Sequence, residues 1–193
     1  NELILILEGS FCVILIIIGY GMILFKDRHG IRPLIYGRKN DNYLISSESV
    51  SLQCLDYEII DDVYPGDIII FRNNKVIKFN DNNFNLKPCI FEWVYLSRMD
   101  SVIYNVSVYE ARIKMGELLS NKIKNNIDTN NIDYVIPIPD SSRPCAQSIS
   151  KELNIPYIEA IIKNRYTNRT FIMSNQKIRR KNIKRKLNVI KKF

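Results

Sequence analysis

Two polar stretches in the C-terminal half carry residue types that could bind a phosphorylated compound. The first is Pro139-Asp140-Ser141-Ser142, which follows an apolar stretch and precedes a helical pattern. Short polar side chains and free backbone N–H groups at such a turn can receive an anion. Ser and Asp are also common residues of a helix N-cap, so the residues alone favour a cap over an anion site.

The second stretch is basic. Lys163, Arg165 and Arg169 could clamp a pyrophosphate, whose dense charge and oxygen geometry suit Arg side chains. They open a segment from Lys163 to Phe193 that contains twelve Lys or Arg and no Asp or Glu. A solvated basic surface or a nucleic-acid arm are the competing interpretations, because residues 177–186 would suit phosphate-backbone contacts. That run has no aromatic side chains between its basic residues, which argues against base stacking.

The composition argues against several other kinds of site. Hydrophobic residues make up 46% of the chain and charged residues 25%, as in a soluble globular protein. With His29 as the single histidine, neither a His-based metal site nor a Ser-His triad is expected. The cysteines form no CxxC pair, which favours a reduced, cytosolic protein without disulfides. They are Cys12, Cys54, Cys89 and Cys145.

The apolar run from Phe11 to Phe25, together with Leu3–Leu7, could be a membrane span or a signal peptide. Its richness in Ile and Val favours strands instead. Glu8-Gly9-Ser10 interrupts the run, and Gly19-Tyr20-Gly21 falls where a tight turn would lie. We therefore predict a β-hairpin, with a small membrane-anchored protein as the alternative.

The pattern of the first eighty residues predicts mostly antiparallel β-structure. Tyr64-Pro65-Gly66-Asp67 has the composition of a turn, and Ser47-Glu48-Ser49 should begin a short helix with Ser as its cap. Lys26-Asp27-Arg28 and Arg32 are interpreted as a solvated turn rather than as an ion network. The further predicted strands are 31–37, 43–46, 58–63, 68–72 and 76–79.

The second half has a different pattern. After the polar connector Asn80–Lys87, apolar residues recur at helical spacing from Ser107 onward. The chain then predicts a strand at Tyr134–Ile138, a helix at Pro144–Leu153 and a strand at Tyr157–Ile162. A strand, loop, helix and strand in this order form a βαβ unit and imply a parallel sheet.

Seven blocks of this sequence share their order and spacing with a known family. GYGMILFKDRHGIRPLIYG, YLISSESVSL and DVYPGDIIIF resemble the second half of the glutaminase domain of the amidophosphoribosyltransferase family. PCIFEWVYLSRMDS resembles its domain junction. SVYEARIKMGELLS, VIPIPDSS and KNRYTNRTFIMSNQKIRRKNIKRKLN follow in the family's order. The resemblance therefore covers nearly the whole chain.

The resemblance implies an α+β and α/β protein with two partial domains. Residues 1–87 would be the C-terminal half of an N-terminal-nucleophile glutaminase domain, an antiparallel β-sandwich with helices. Residues 88–193 would begin a type I phosphoribosyltransferase domain with a parallel sheet. The family makes 5-phosphoribosylamine from phosphoribosyl pyrophosphate (PRPP) and glutamine. Its glutaminase nucleophile would lie upstream of Asn1, so the chain alone should be inactive and contains no assigned catalytic residue.

The resemblance also assigns roles to individual residues. Asp140, Ser141, Ser142, Lys163, Arg165 and Arg169 would bind PRPP or pyrophosphate, with Ser141 at a position associated with Mg²⁺. A separate set, which would otherwise pack in a core, would line an ammonia channel. Its members are Phe91, Tyr95, Tyr166, Phe171 and Ile172.

Further expectations concern cofactors and partners. Cys89 matches a ligand of a [4Fe–4S] cluster in one branch of the family, but the other three ligands would lie elsewhere, so a cluster is not expected. The substrates would be PRPP and glutamine, in a cytoplasmic homo-oligomer with neither nucleic acid nor membrane as a partner. The chain departs from the family at Met99, where Pro is usual, and at Ser142-Arg143-Pro144.

Overall fold

A computed structural model of the protein describes residues 2–81, 83–166 and 175–191. The chain divides into two compact units, Asn1–Val108 and Tyr109–Phe193. The first is mainly β-structure, and the second is mainly helical with short strands.

The apolar N-terminus folds as a short helix followed by a hairpin. Helix α1 spans Glu2–Ile6, and strands β1 (Cys12–Ile17) and β2 (Gly21–Lys26) pair antiparallel. Gly19 adopts a φ of +79° in the connecting turn, a conformation that favours glycine. The predicted hairpin is confirmed. In the described part of the chain, no helix has both the length and the apolar character needed to cross a membrane.

Two antiparallel sheets make up most of the first unit. A four-stranded sheet has the order β1-β2-β6-β7, and a three-stranded sheet has the order β4-β3-β5. Leu24, Ile69 and Phe71 from one sheet form a buried cluster with Tyr36 from the other. The remaining strands are β3 (Ile35–Lys39), β4 (Asn42–Ser46), β5 (Glu58–Asp62), β6 (Asp67–Arg72) and β7 (Lys75–Asn80).

The predicted cap of the short helix is wrong. Helix α2 spans Ser49–Gln53, and its N-cap residue is Glu48, which makes no side-chain cap hydrogen bond. The Glu48 carboxylate instead accepts hydrogen bonds from the Arg98 backbone N–H and the Ser101 hydroxyl, both at 2.8 Å. A long-range partner therefore replaces the local one that the sequence suggested.

Residues 88–108 lie with the first unit. They contain a π-helical turn at Glu92–Leu96 and the short strands β8 (Val102–Ile103) and β9 (Val106–Ser107). The Cys89 backbone N–H donates to the Ile31 carbonyl at 3.0 Å, which fixes the start of this segment beside the loop between β2 and β3.

The second unit opens with helix α3 (Val108–Asn126), followed by a 3₁₀ turn at Thr129–Asn131 and helix α4 (Arg143–Leu153). The predicted parallel strands are much shorter than expected. In the described residues, the parallel pairing is limited to an isolated bridge between Val135 and Tyr157. Strand β10 (Ile161–Lys163) pairs antiparallel with β11 (Leu187–Val189), which follows helix α5 (Gln176–Lys186).

Candidate functional site

The turn before α4 is fixed on both sides. The Val135 N–H donates to the Pro156 carbonyl at 2.9 Å, and Pro144 occupies the first turn of α4, where proline is tolerated. Ser142 is the N-cap residue but makes no cap hydrogen bond. Its hydroxyl donates backward to the Ile138 carbonyl at 2.5 Å. Ser142 therefore occupies the N-cap position, as the capping interpretation expected, but its side chain does not cap the helix.

Asp140 lies between two cations at this turn. The Lys163 ammonium donates to Oδ2 of Asp140 at 2.6 Å, and Nη1 of Arg143 lies 3.2 Å from Oδ1. The hydrogen bond from Lys163 lowers the pKa of the Asp140 carboxyl, and the charges of Lys163, Arg143 and Arg165 act in the same direction. The Asp140 carboxylate therefore stays ionised, and the positive charges of its neighbours balance its negative charge.

Arg143 also pairs with a second carboxylate. Its Nε lies 3.0 Å from Oε1 of Glu159, and its Nη2 donates to Oε2 at 3.2 Å. The Tyr157 hydroxyl donates to Oε1 of Glu159 at 3.0 Å. The pairing of Arg143 with Glu159 was not predicted, although the departure from the family at this position was a signal that could have directed attention to it.

Strand β10 brings the start of the basic segment to the turn. Lys163 is the last residue of β10 and pairs with Leu187 of β11, while the Asn164 N–H donates to the Lys186 carbonyl at 2.7 Å. Arg165 is exposed. Arg169 lies outside the described residues. The structure thus brings together Asp140, Ser141, Ser142 and Lys163 from two distant parts of the sequence.

The aromatic residues assigned to an ammonia channel are not in a core where the structure describes them. Phe91 and Tyr95, at the π-helical turn, are 60% and 66% exposed. Tyr166 in the second unit is 99% exposed. Phe171 and Ile172 lie outside the described residues. Simple core packing therefore does not account for the three described side chains.

The interpretation of Lys26-Asp27-Arg28 and Arg32 as a solvated turn is wrong. Lys26 and Asp27 are fully buried. The Lys26 ammonium donates to the Tyr104 hydroxyl at 2.6 Å, and Asp27 accepts from the backbone N–H groups of His29 and Ile31. Arg32 pairs with Glu92 at 3.0 Å. Lys26 and Arg32 therefore find their partners far along the chain, whereas backbone N–H groups of the same loop bind the Asp27 carboxylate.

Asp62 belongs to the same buried region. Its Oδ2 accepts the Tyr104 backbone N–H at 3.1 Å. Burial raises the pKa of the Asp62 carboxyl to about 6, while the hydrogen bond from Tyr104 and the charge of Lys26 oppose the rise and Asp61 adds to it. The folded state thus binds this proton more tightly than the unfolded state, whose pKa is near 3.8. This stabilising contribution is complete below pH 3.8 and is lost as pH rises through about 6.

We expect Asp62→Asn to remove the pH-dependent loss of stability that Asp62 causes. The free energy of unfolding of the variant, relative to the native chain, should rise steadily between pH 4 and pH 7, because other titrating groups are common to both proteins. Urea unfolding at four pH values in this range measures the difference. Asp41→Asn, which removes a carboxylate from an exposed β-hairpin turn, is the control with which the pH dependence of Asp62→Asn is compared. Parallel pH profiles for the native chain and Asp62→Asn would contradict the assignment.

No group of three or more His, Cys, Asp or Glu side chains in the described ranges is placed to hold a metal ion. Cys89 is a free, half-buried thiol. At the turn, Ser141 offers one hydroxyl oxygen, while the Asp140 carboxylate already contacts two cations. Such donors fit Mg²⁺ only together with phosphate oxygens of a substrate, since Mg²⁺ keeps much of its water and takes few protein ligands.

Comparison with known proteins gives a consistent result. No protein-family model matches the chain. The chain is 42% identical over 191 residues to the amidophosphoribosyltransferase of Pasteurella multocida and 41% identical to that of Escherichia coli, covering 95% of this chain in both cases. The Schizosaccharomyces pombe enzyme is 39% identical over 202 residues, covering 94% of this chain. Each match covers 38% of the relative's length.

Solved structures of the same kind are similar. A glutamine PRPP amidotransferase from B. subtilis, complexed with ADP and GMP, matches with a TM-score of 0.83 and 29% identity. That match covers 99% of this chain and 41% of the other. A structure described as the allosteric regulatory enzyme of purine biosynthesis matches with a TM-score of 0.76 and 31% identity, covering 90% of this chain and 36% of the other. The family resemblance is therefore confirmed: nearly the whole chain matches amidophosphoribosyltransferases, and it spans 38% of the length of the curated relatives named above.

Proposed function

We propose that the protein containing this chain is an amidophosphoribosyltransferase, a glycosyltransferase that makes 5-phosphoribosylamine from PRPP and glutamine in the first step of de novo purine biosynthesis. In this reaction ammonia released from glutamine attacks the activated sugar carbon, and pyrophosphate leaves. The chain supplies the pyrophosphate side of the PRPP site. The observation that carries the proposal is the position of Lys163 beside the turn Pro139–Ser142, within hydrogen-bond distance of Asp140.

Each part of the turn has a chemical task. Ser141, Ser142 and the nearby backbone N–H groups receive pyrophosphate oxygens, and Lys163, Arg165 and Arg169 neutralise the negative charge that develops on the leaving group. Bound Mg²⁺ would add positive charge against the pyrophosphate, with Ser141 as one oxygen ligand. The basic segment after Lys163 excludes water that would otherwise attack the activated sugar.

The remaining assignments extend the proposal to the rest of the chain. Residues 1–87 form part of the glutaminase domain, an antiparallel sandwich, and residues 88–193 begin the phosphoribosyltransferase domain. Neutral ammonia travels along an apolar path from the first active site to the second. Its lining comprises Phe91, Tyr95, Tyr166, Phe171 and Ile172. The protein is a cytoplasmic homo-oligomer.

The exposure of Phe91, Tyr95 and Tyr166 supports the channel assignment, because large aromatic side chains that do not pack in their own unit are available to line a path. Their aromatic faces would let neutral ammonia pass and disfavour water and protons. Neither the pyrophosphate-binding residues nor the channel residues contribute a group that reacts. Both sets position or enclose the reacting molecules.

Binding of pyrophosphate tests the central claim. Replacing Lys163 by Met removes the charge nearest the turn, so we expect affinity for pyrophosphate with Mg²⁺ to fall at least about tenfold by isothermal titration. Lys151→Met is the matched control, since Lys151 is an exposed residue in the last turn of α4, and its affinity should stay within about twofold.

Equal affinities for Lys163→Met and the native chain would contradict the assigned site. Tight binding of single-stranded nucleic acid with no Lys163-dependent pyrophosphate binding would support the competing interpretation instead. Binding of nucleic acid is measured because helix α5 is strongly basic and has no acidic residue. Its basic residues are Lys177, Arg179, Arg180, Lys181, Lys184, Arg185 and Lys186.

A further inference from the structure

The Asp140 carboxylate lies at the position where the proposed site should receive an anion. Asp140 contributes the acidic group nearest to Lys163, and its two oxygens are divided between two cations: Oδ2 contacts Lys163 at 2.6 Å and Oδ1 contacts Arg143 at 3.2 Å. The side chains of Asp140 and Lys163 are each about one third exposed, so an incoming ligand can reach the pair. Pyrophosphate cannot use Lys163 fully while Asp140 holds it, and an ionised Asp140 would repel pyrophosphate.

We propose that Asp140 is an internal substitute for the pyrophosphate group, and that Arg143 is the positioning residue that retains the Asp140 carboxylate when pyrophosphate displaces it from Lys163. The proposal rests on the proposed function, in which Lys163 binds pyrophosphate. Asp140 then acts as a competitor of the ligand and not as one of its ligands. Arg143 acts through Asp140 and not by touching the substrate.

The two cations are suited to these different tasks. Lys163 carries a compact charge on a flexible stem and can exchange one oxygen partner for another. Arg143 has a planar guanidinium that two contacts to Glu159 hold in place, at 3.0 Å and 3.2 Å. Glu159 is in turn fixed by the Tyr157 hydroxyl. Arg143 therefore stays in position and offers a stationary partner to Asp140 after Lys163 has released it.

This arrangement makes every anion compete for Lys163. A ligand must displace a charge-assisted hydrogen bond before it reaches the Lys163 ammonium. The free energy of that displacement is the same for pyrophosphate and for inorganic phosphate, and repulsion by the Asp140 carboxylate is greater for the more highly charged pyrophosphate. Asp140 therefore weakens the binding of both anions.

The test measures binding of pyrophosphate and of inorganic phosphate to the chain, both without Mg²⁺ so that no metal bridges to Asp140. Asp140→Asn keeps the shape and removes the competing charge. We expect it to tighten pyrophosphate binding roughly three- to tenfold and to tighten phosphate binding by no more than the same factor, because both ligands are freed from the same competitor and pyrophosphate loses the greater repulsion. Glu152→Gln removes the same charge from an exposed position of α4, outside the Asp140 cluster, and it should change pyrophosphate affinity less than about twofold.

Arg143→Gln separates a positioning role from direct contact. In the native background the variant should weaken pyrophosphate binding, because Asp140 then remains on Lys163 alone. In the Asp140→Asn background the same substitution should have a smaller effect, since no carboxylate is left to retain. An equal or larger effect in that background would show that Arg143 contacts the ligand itself and would overturn its assigned role.

The remaining outcomes are also decisive. Unchanged or weaker pyrophosphate binding by Asp140→Asn would overturn the competition. Equal tightening by Asp140→Asn and Glu152→Gln would overturn it in favour of a general charge effect. In both cases the proposed function stands as long as Lys163→Met weakens binding, and it fails if pyrophosphate binding does not depend on Lys163. Thermal unfolding of each variant confirms that the compared proteins are folded.

Discussion

Tyr104→Phe is expected to lower the free energy of unfolding of the first unit by about 2–3 kcal/mol, which is large for the loss of one oxygen atom. The Tyr104 hydroxyl accepts the hydrogen bond of the buried Lys26 ammonium at 2.6 Å and donates to the Gly30 carbonyl at 3.1 Å. The phenylalanine ring would keep the packing against Tyr64, whose ring centroid lies 5.4 Å away. The loss would therefore come from the unpaired charge and not from a cavity.

Two further variants make this expectation specific. Tyr64→Phe makes the same chemical change on the neighbouring ring and should alter the free energy of unfolding by no more than about 0.5 kcal/mol. The double variant Lys26→Met/Tyr104→Phe removes both partners and should recover part of the stability, since replacing both members of a buried polar pair by apolar groups can be nearly neutral. Urea unfolding near neutral pH measures the free energy of unfolding of Tyr104→Phe, of Tyr64→Phe and of the double variant. A double variant less stable than Tyr104→Phe alone would show that the Lys26 charge is held mainly by the nearby carboxylates.

The sequence predicted the β-structure of the first unit well because the signals are local. The turn at Gly19-Tyr20-Gly21 and the alternating strands on either side of Asn73-Asn74 determine hairpins within a few residues. It did not predict the environment of Lys26, because the partner is 78 residues away in the sequence. A Lys-Asp-Arg stretch has the composition of a solvated turn, and only the folded chain shows that Tyr104 covers it.

In the second unit, too, the sequence predicted local features better than contacts between distant residues. The resemblance identified the turn Pro139–Ser142 and the basic residues after Lys163, and the structure places Lys163 at that turn. Arg143 and Glu159 were not identified as a pair, because side-chain pairing across sixteen residues leaves no periodic pattern. Apolar composition correctly marked the regions near Val135 and Tyr157, but composition does not show how many backbone partners a strand will find.

The contact between α3 and α4 gives the second large effect. A Cβ atom added at Gly116 would lie 2.5 Å from the Cys145 carbonyl oxygen and 2.7 Å from Cβ of Ser148. The first of these atoms belongs to the backbone of α4 and cannot rotate away. Gly116→Val should therefore push the two helices apart and lower the free energy of unfolding of the second unit by about 3 kcal/mol or more. The matched control is Asn121→Val on an exposed position of α3, where the same β-branched side chain meets solvent.

The consequence of the Gly116 substitution should reach the proposed site, because α4 begins at Arg143 and the turn that carries Asp140 immediately precedes it. A displaced α4 changes the distance between the turn and Lys163, which lies on a separate strand. We expect pyrophosphate affinity to fall for Gly116→Val, measured at a temperature where the variant is folded, and to stay unchanged for Asn121→Val. If Gly116→Val does not fold, Gly116→Ala applies the same displacement with one methyl group. Native pyrophosphate affinity in a folded but destabilised Gly116 variant would mean that the turn is positioned by its own ion pairs and not by the packing of α4 on α3.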